Sequence, residues 1–267
     1  MTMNILHISD IHFRRRYEPC DDGYKGMLFC MQSPLIPLNS CIKKVQKKDK
    51  IDLLLISGDL TEDGDPEDYA YLKDHLKRLM GETKMIVTLG NHDNKANFRK
   101  GWLKEKEDGG FYNQVFHLED VSVISFDSSL QGEPDGTVGE KQLAWLKKAL
   151  EEIKNRPVIL LTHHHLLKNQ STTPPVPQAE KLLKVIKEQK LLCILNGHTH
   201  HPYVGTAGGS RYFTAGSLSF CGESEENGAV RFEEKYGYNL YRINEAEITE
   251  EVFTFTTNKI IKTVFMR

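Results

Sequence analysis

Residues 52–59 read DLLLISGD, and this stretch decides the fold class. Its run of leucine and isoleucine has the length of a β-strand, and an unbroken apolar run is typical of a strand buried on both faces. Gly58 ends the run because glycine allows a sharp turn, and Asp59 follows directly. The stretch therefore predicts a strand over 52–56 in an α/β sheet, with an acidic side chain at its carboxyl end.

The same kind of apolar run recurs along the chain, and amphipathic stretches lie between the runs. Strands are predicted over 5–8, 52–56, 85–89, 121–126, 158–161 and 191–195. Helices are predicted over 38–48, 66–79, 139–153 and 178–187. Asp65 followed by Pro66 is a typical helix start. Strands that alternate with helices in this way indicate a βαβ architecture.

The pattern changes after residue 200, where strand-like runs follow one another without helices between them. These strands are predicted over 203–204, 211–215, 238–243, 247–256 and 259–265. Gly208-Gly209 and Asn258 stand where hairpin turns are expected, and residues 222–237 are predicted to be a charged loop. The C-terminal part, 203–267, is therefore predicted to be mostly β. We find no linker or repeat and expect one domain over 1–267.

The composition excludes several classes of protein. The 35 lysines and arginines nearly balance the 37 aspartates and glutamates, which argues against a nucleic-acid partner. The longest apolar runs are strand-sized and fall short of the roughly 18 residues of a membrane span, so we expect no membrane partner. The five cysteines include no Cys-x-x-Cys pair, and the N-terminal residues lack the features of a signal peptide. Both observations predict a cytoplasmic location, and a dimer remains open.

Polar side chains follow five of the predicted strands, at the point where each strand ends. They are Asp10 and His12, Asp59, Asn91 with His92 and Asp93, His163, and His198 with His200. Ligands bind at the carboxyl ends of the strands in an α/β sheet. We therefore expect these side chains to converge on one site. His7 lies within a strand instead, and we interpret it as structural or peripheral.

The number and chemistry of these side chains favour two metal ions. Seven of them are candidate ligands: Asp10, His12, Asp59, Asn91, His163, His198 and His200. Seven donors are too many for one ion and suit two ions if one carboxylate bridges them, and Asp59, alone at its strand end, is the natural bridge. Nitrogen and oxygen donors without a thiolate favour Mn, Fe, Zn or Co. Two metals about 3.5–4 Å apart are a common device for in-line displacement at phosphorus.

With these motifs in this order, the sequence resembles the calcineurin-like metallophosphoesterases from residue 5 to about residue 205. The matching motifs are Asp10-Ile11-His12, Gly58-Asp59, Gly90-Asn91-His92-Asp93, His163 and Gly197-His198-Thr199-His200. The Ser-Asp-Ile-His-Phe opening and the Gly-Asp-Leu-Thr-Glu-Asp-Gly stretch are similar to the class III cyclic-nucleotide phosphodiesterase and glycerophosphodiesterase branch. The resemblance implies an α/β fold, a four-layer αββα sandwich of two packed mixed β-sheets flanked by helices.

The resemblance also implies how the ligands are shared. One metal would take Asp10, His12, Asp59 and His200. The other would take Asp59, Asn91, His163 and His198. The branch often has His-His-Pro-Pro at the fourth motif, whereas this chain has His163-His164-His165-Leu166, so His164 is the alternative to His163 as a ligand.

The implied activity is the hydrolysis of a small phosphodiester, such as a cyclic nucleotide or a glycerophosphodiester, by in-line attack of a metal-bridging hydroxide. Asp59 and His92 are the predicted catalytic residues, and His92, with Asp93 beside it, is the candidate acid for the leaving alkoxide. Asn91, His92 and Arg14 are the predicted substrate-binding residues. A phosphomonoesterase or protein phosphatase on the same site is the alternative. A non-catalytic scaffold with this fold is a remote alternative, because a scaffold is expected to lose ligands.

Residues 13–37 form a long stretch between the first motif and the first predicted helix, and long loops in compact domains are usually functional or disordered. The segment includes Phe13, Tyr17 and Tyr24 and is too apolar for a solvated tail. We predict that it forms a partial lid whose aromatic side chains line the substrate pocket. The alternative is a loop on the outer helices whose aromatic side chains complete the core.

Overall fold

Twelve strands and six helices make up the part of the chain that the computed structural model describes, residues 2–130, 132–153, 156–189, 191–244 and 247–265. The strands are β1 Met3–Ile8, β2 Leu53–Ser57, β3 Lys84–Thr88, β4 Gln114–His117, β5 Ser122–Ser125, β6 Val158–Leu161, β7 Cys193–Asn196, β8 Tyr203–Ala207, β9 Ser210–Thr214, β10 Cys221–Ser224, β11 Val230–Asn244 and β12 Glu247–Val264. The helices are α1 Gly23–Cys30, α2 Leu35–Gln46, α3 Pro66–Met80, α4 Lys95–Phe98, α5 Glu140–Glu152 and α6 Ala179–Gln189, and a π-helical turn, Arg99–Leu103, follows α4.

The strands form two mixed six-stranded sheets. The first sheet has the order β10-β11-β1-β2-β3, with β12 paired to β11, and β1, β2 and β3 run parallel. The second sheet has the order β4-β5-β6-β7-β9-β8, with β5, β6, β7 and β9 parallel. The carboxyl ends of β1, β2 and β3 in one sheet, and of β6 and β7 in the other, carry the predicted site residues.

Side chains of β2 show how the layers are built. Leu54 and Ile56 face one side of the strand and pack in a core with α2 and α3, whereas Leu53 and Leu55 face the other sheet. A third core lies between the second sheet and helices α5 and α6. The order of layers is therefore helices, sheet, sheet, helices, which confirms the predicted αββα sandwich. Because both faces of β2 are buried, its apolar residues alternate between two cores.

The C-terminal strands differ from the prediction in length and continuity. Residues 222–237, predicted as a loop, contain part of β10 and of β11. Asn258, predicted at a hairpin turn, lies inside β12 with a left-handed backbone (φ 61°), near register shifts against β11. The two predicted strands are thus one strand with a β-bulge, because a single left-handed residue is accommodated by extra residues on one side of the ladder.

The segment 13–37 contains more regular structure than predicted. It holds α1 and the start of α2, and Phe13 lies in the core beside α3. Met27 and Leu28 of α1 pack in a small core against β11 and β12. Within the described ranges, every helix is too short or too polar to cross a lipid bilayer.

Candidate metal centre

The backbone at the strand ends adopts conformations that are uncommon for residues with side chains. Asp10, His12, Asp59, His198 and His200 all have positive φ angles, between 47° and 70°. Left-handed backbone at residues other than glycine costs free energy and clusters at functional sites. The turns bring carboxylate and imidazole groups from both sheets to one edge, as the sequence predicted.

The first group of side chains lies around His12. The Nε2 atoms of His12 and His200 are 3.1 Å apart. His12 Nε2 is 3.5 Å from Asp59 Oδ2, and His200 Nε2 is 3.5 Å from Asp10 Oδ1. The ligand atoms of Asp10, His12 and His200 lie within 4.8 Å of one another, close enough to bind one metal ion together.

The second group lies around Asn91. Its Oδ1 atom is 3.1 Å from His163 Nε2 and 3.1 Å from His198 Nδ1. His163 Nε2 is also 3.4 Å from Asp59 Oδ2. Asp59 Oδ2 therefore belongs to both groups, and the two groups share one carboxylate oxygen.

Hydrogen bonds behind the histidines determine which ring nitrogen faces the site. His12 Nδ1 donates to the Glu62 carboxylate (2.7 Å), His200 Nδ1 to the Phe220 carbonyl (2.7 Å) and His163 Nδ1 to the Ser57 carbonyl (2.7 Å). The inward nitrogen of each ring is therefore the one left for a metal ion. The inward Nε2 atoms of His12 and His200 lie 3.1 Å apart, a distance at which a proton or a metal ion must lie between them. The residues therefore fit a bound metal ion.

Buried negative charge makes the site attract cations. Burial lowers the pKa of His12, but the hydrogen bond to Glu62 and the charge of Asp59 outweigh burial and raise that pKa to about 9. For His163, burial is likewise outweighed by the charge of Asp59, and the pKa rises to about 9. Burial raises the pKa of Asp59, yet the nearby histidines hold it well below its usual range.

His92 lies beside the two groups without joining either. Its Nδ1 donates to the carbonyl oxygen of Glu62 (3.0 Å), and its side chain is 29% exposed. Asp93, which the sequence placed beside His92, instead accepts hydrogen bonds from the Gly90 amide and the Tyr69 hydroxyl. The partner of His92 is therefore Glu62, and Asp93 holds the loop together.

His164 lies next to the Asn91 group, with its ring centroid 4.9 Å from that of His163 and 4.6 Å from that of His198, but its nitrogens bond elsewhere. Its Nδ1 is 2.8 Å from Ser128 Oγ, and its Nε2 is 3.1 Å from the Pro134 carbonyl. Both nitrogens of His164 are thus hydrogen-bonded to groups outside the site, whereas His163 Nε2 faces Asn91 and Asp59. The geometry favours His163 over His164 as the ligand.

Arg14 and the segment that follows it border the site on the His12 side. The Arg14 guanidinium is paired with the carboxylate of Asp63. Tyr24 lies against Phe220, with ring centroids 6.1 Å apart, and Phe220 in turn contacts the rings of His12 and His200. The segment is therefore adjacent to the metal centre, although Phe13 and the apolar face of α1 are buried in hydrophobic cores.

Two residues of the site were missed in the sequence, Glu62 and Phe220. Glu62 lies three positions after Asp59, and this short separation was the available signal, although the sequence shows neither its burial nor its bond to His12. Phe220 contributes a main-chain carbonyl to His200, for which side-chain chemistry gives no signal.

Comparison with known proteins identifies the family of the chain. A sequence model described as calcineurin-like phosphoesterase matches residues 3–202. The chain belongs to this family, whose members are metal-dependent phosphoester hydrolases. It is 31% identical, over 74% of its length and 72% of the relative's, to a protein of Arcobacter nitrofigilis named "Probable glycerophosphodiester phosphodiesterase". It is 26% identical, over 89% of its length and 94% of the relative's, to a "Probable cyclic nucleotide phosphodiesterase" of Xenorhabdus bovienii.

Solved structures support the fold. A dimetal phosphatase from Danio rerio superposes with a TM-score of 0.62 at 13% identity, covering 95% of this chain and 98% of that one. At this level of identity the likeness concerns the arrangement of the two sheets and their helices.

Gly90 provides a test of the packing at the centre. A Cβ atom at this position would lie 2.2 Å from Asp59 Oδ1 and 2.6 Å from the Asp59 amide nitrogen. We expect Gly90→Ala to displace the Asp59 carboxylate, to lower the free energy of unfolding by about 1–3 kcal/mol and to reduce metal content. Thermal unfolding and metal analysis measure both effects. Gly109→Ala, where a Cβ meets nothing within 4 Å, is the control, and equal behaviour of the two variants would contradict this account.

Proposed function

We propose that this chain is a phosphodiesterase for small substrates and that it acts with two metal ions. The observation that supports the proposal is the position of Asp59 Oδ2, 3.5 Å from His12 Nε2 in one group of donors and 3.4 Å from His163 Nε2 in the other. A single carboxylate oxygen shared by two groups is the arrangement expected of a bridging ligand.

Each ion would have its own set of ligands. One would be held by Asp10, His12, Asp59 and His200. The other would be held by Asp59, Asn91, His163 and His198. The donors are nitrogen and oxygen atoms, so Mn, Fe, Zn or Co suit them. When bound, two such ions polarise a phosphoryl group and lower the pKa of a coordinated water.

The protein's own side chains would then orient the substrate and supply a proton. His92 is the proposed general acid, because the Glu62 carbonyl occupies its Nδ1 and leaves Nε2 available to the leaving oxygen. The amide group of Asn91 adjoins both histidines of its group and can contact a phosphoryl oxygen. Arg14 is the proposed contact for the far side of the substrate. It would make this contact while it remains paired with Asp63.

The substrate class rests on the two relatives, one named for cyclic nucleotides and the other for glycerophosphodiesters. These names favour a diester over a monoester. We also propose that the segment 13–37 forms one wall of the substrate cleft, because Tyr24 and Phe220 adjoin the His12 group. All five cysteines, which lie in the described residues, are free thiols, and this agrees with the proposed cytoplasmic location.

The metal count tests the proposal most directly. Metal analysis of protein loaded with Mn²⁺ should give about two ions per chain. Asp59→Asn should lose ions from both sites, since the shared oxygen loses its charge. A wild-type chain that is fully active with one ion would contradict the dinuclear site.

The role of His92 can be separated from metal binding. His92→Ala should keep its metal content and lose turnover by about 10²–10⁴-fold on diesters with poor leaving groups. Esters of p-nitrophenol should be affected less, because p-nitrophenolate leaves with little help from a proton. His75→Ala, at a half-buried histidine that bonds to Asn39, is the control. An equal loss on both kinds of ester would argue against the acid role.

Substrate preference distinguishes the diesterase from the phosphomonoesterase. With Mn²⁺ present, we expect kcat/KM to be higher for bis-p-nitrophenyl phosphate than for p-nitrophenyl phosphate. Hydrolysis of a cyclic nucleotide and of a glycerophosphodiester should then be compared at matched concentrations. A preference for the monoester would favour the alternative function.

A further inference from the structure

Glu62 is a buried acid beside the metal centre, and neither the proposed ligands nor the proposed acid includes it. It lies in the loop after β2, three residues beyond Asp59, and its side chain is 5% exposed. We propose that Glu62 is a positioning residue that sets the affinity of the His12 site for its metal and keeps His92 oriented beside that site. The inference rests on the proposed dinuclear centre and adds a residue that determines how tightly one of its ions binds.

The carboxylate of Glu62 controls the His12 ring. Its Oε2 atom accepts a hydrogen bond from His12 Nδ1 at 2.7 Å. This bond keeps a proton on Nδ1 and turns Nε2, the nitrogen available to a metal ion, toward Asp59 and His200. A carboxylate behind a histidine ligand also increases the electron density on the ring, and removing such a partner typically weakens metal binding 10- to 100-fold.

The main chain of the same residue controls His92. The Glu62 carbonyl accepts a hydrogen bond from His92 Nδ1 at 3.0 Å, and Glu62 Oε1 lies 3.5 Å from that nitrogen. The rings of His12 and His92 meet edge to face, with centroids 4.6 Å apart. One residue therefore orients a proposed ligand through its side chain and the proposed acid through its backbone.

Glu62 also connects the centre to α1. The Tyr24 hydroxyl lies 3.4 Å from Glu62 Oε2, and burial raises the pKa of Tyr24 well above its usual range, so the hydroxyl keeps its proton. Tyr24 belongs to the segment that borders the cleft. The carboxylate thus has a partner on the cleft wall and another within the metal site.

The loop itself is held by contacts that do not involve the Glu62 side chain. The Glu62 amide donates to the Phe13 carbonyl at 3.2 Å, and the Phe13 amide donates to the Leu60 carbonyl at 3.1 Å. Because the backbone is fixed independently, Glu62→Gln should remove the charge and leave the carbonyl in place for His92. The substitution therefore tests the carboxylate alone.

Calorimetric titration of metal-free protein with Mn²⁺ tests the proposal. We expect wild type to bind two ions and Glu62→Gln to bind one of them 10- to 100-fold more weakly, with the other affinity within about 3-fold. Glu62→Ala should weaken the same site at least as much. If that variant fails to fold, the Mn²⁺ affinities of Glu62→Gln alone test the proposal. Glu67→Gln, at an exposed acid of α3 that pairs with Arg15, is the matched control and should bind as wild type.

A second measurement separates positioning from a general structural role. Thermal unfolding of metal-free Glu62→Gln should occur within a few degrees of wild type. The electron paramagnetic resonance signal of a spin-coupled Mn pair should appear in Glu62→Gln only at higher Mn²⁺ than in wild type. Two ions bound by Glu62→Gln with wild-type affinities, or equal weakening of both sites, would overturn the inference and leave the proposed function standing. A wild-type chain that binds one ion would overturn both.

Discussion

The site depends on one constraint, the burial of the Asp59 carboxylate at the junction of the two sheets. Asp59 is 2% exposed, and a buried carboxylate is costly unless it is paired and hydrogen-bonded. Its Oδ1 accepts from the His92 amide at 2.9 Å, and its Oδ2 faces His12 from the first sheet and His163 from the second. A cation at Oδ2 would therefore satisfy the charge and connect the sheets at the same time.

The close approach of main chain to a second buried carboxylate, that of Asp10, explains the glycine of the last motif. A Cβ atom at Gly197 would lie 1.8 Å from Ser9 Oγ and 2.5 Å from Asp10 Oδ2. The amide of His198, directly after this glycine, donates to the Asp10 carboxylate. The loop after β7 can approach Asp10 this closely only without a side chain at position 197. Gly197 therefore allows both the turn after β7 and the hydrogen bond to Asp10 of the other sheet.

The sequence predicted the strands of the centre and the side chains at their ends, because both depend on local order along the chain. Glu62 could not be assigned in this way, because its role depends on a hydrogen bond to His12. The two residues are 50 positions apart in the sequence, and their bonded atoms are 2.7 Å apart in the fold. The length of β12 was missed for a related reason. Asn258 is typical of a turn when only its sequence neighbours are considered. In the fold it lies in a β-bulge of β12 opposite β11, and the sequence around Asn258 does not show this pairing.

The long β11–β12 pair gives the first sheet a surface that reaches beyond β1. Only residues 239–243 of β11 pair with β1, and the opposite end of β11 pairs with β10. On that extension, Phe232 and Ile261 form a core with Met27 of α1 and with Phe220. Phe220 lies against His12 and His200, and its carbonyl oxygen accepts from His200 Nδ1. The extension therefore supports α1 and one wall of the metal centre through the same few apolar contacts. Because these contacts are shared, a change in this small core would affect both α1 and, through Phe220, the ring of His200.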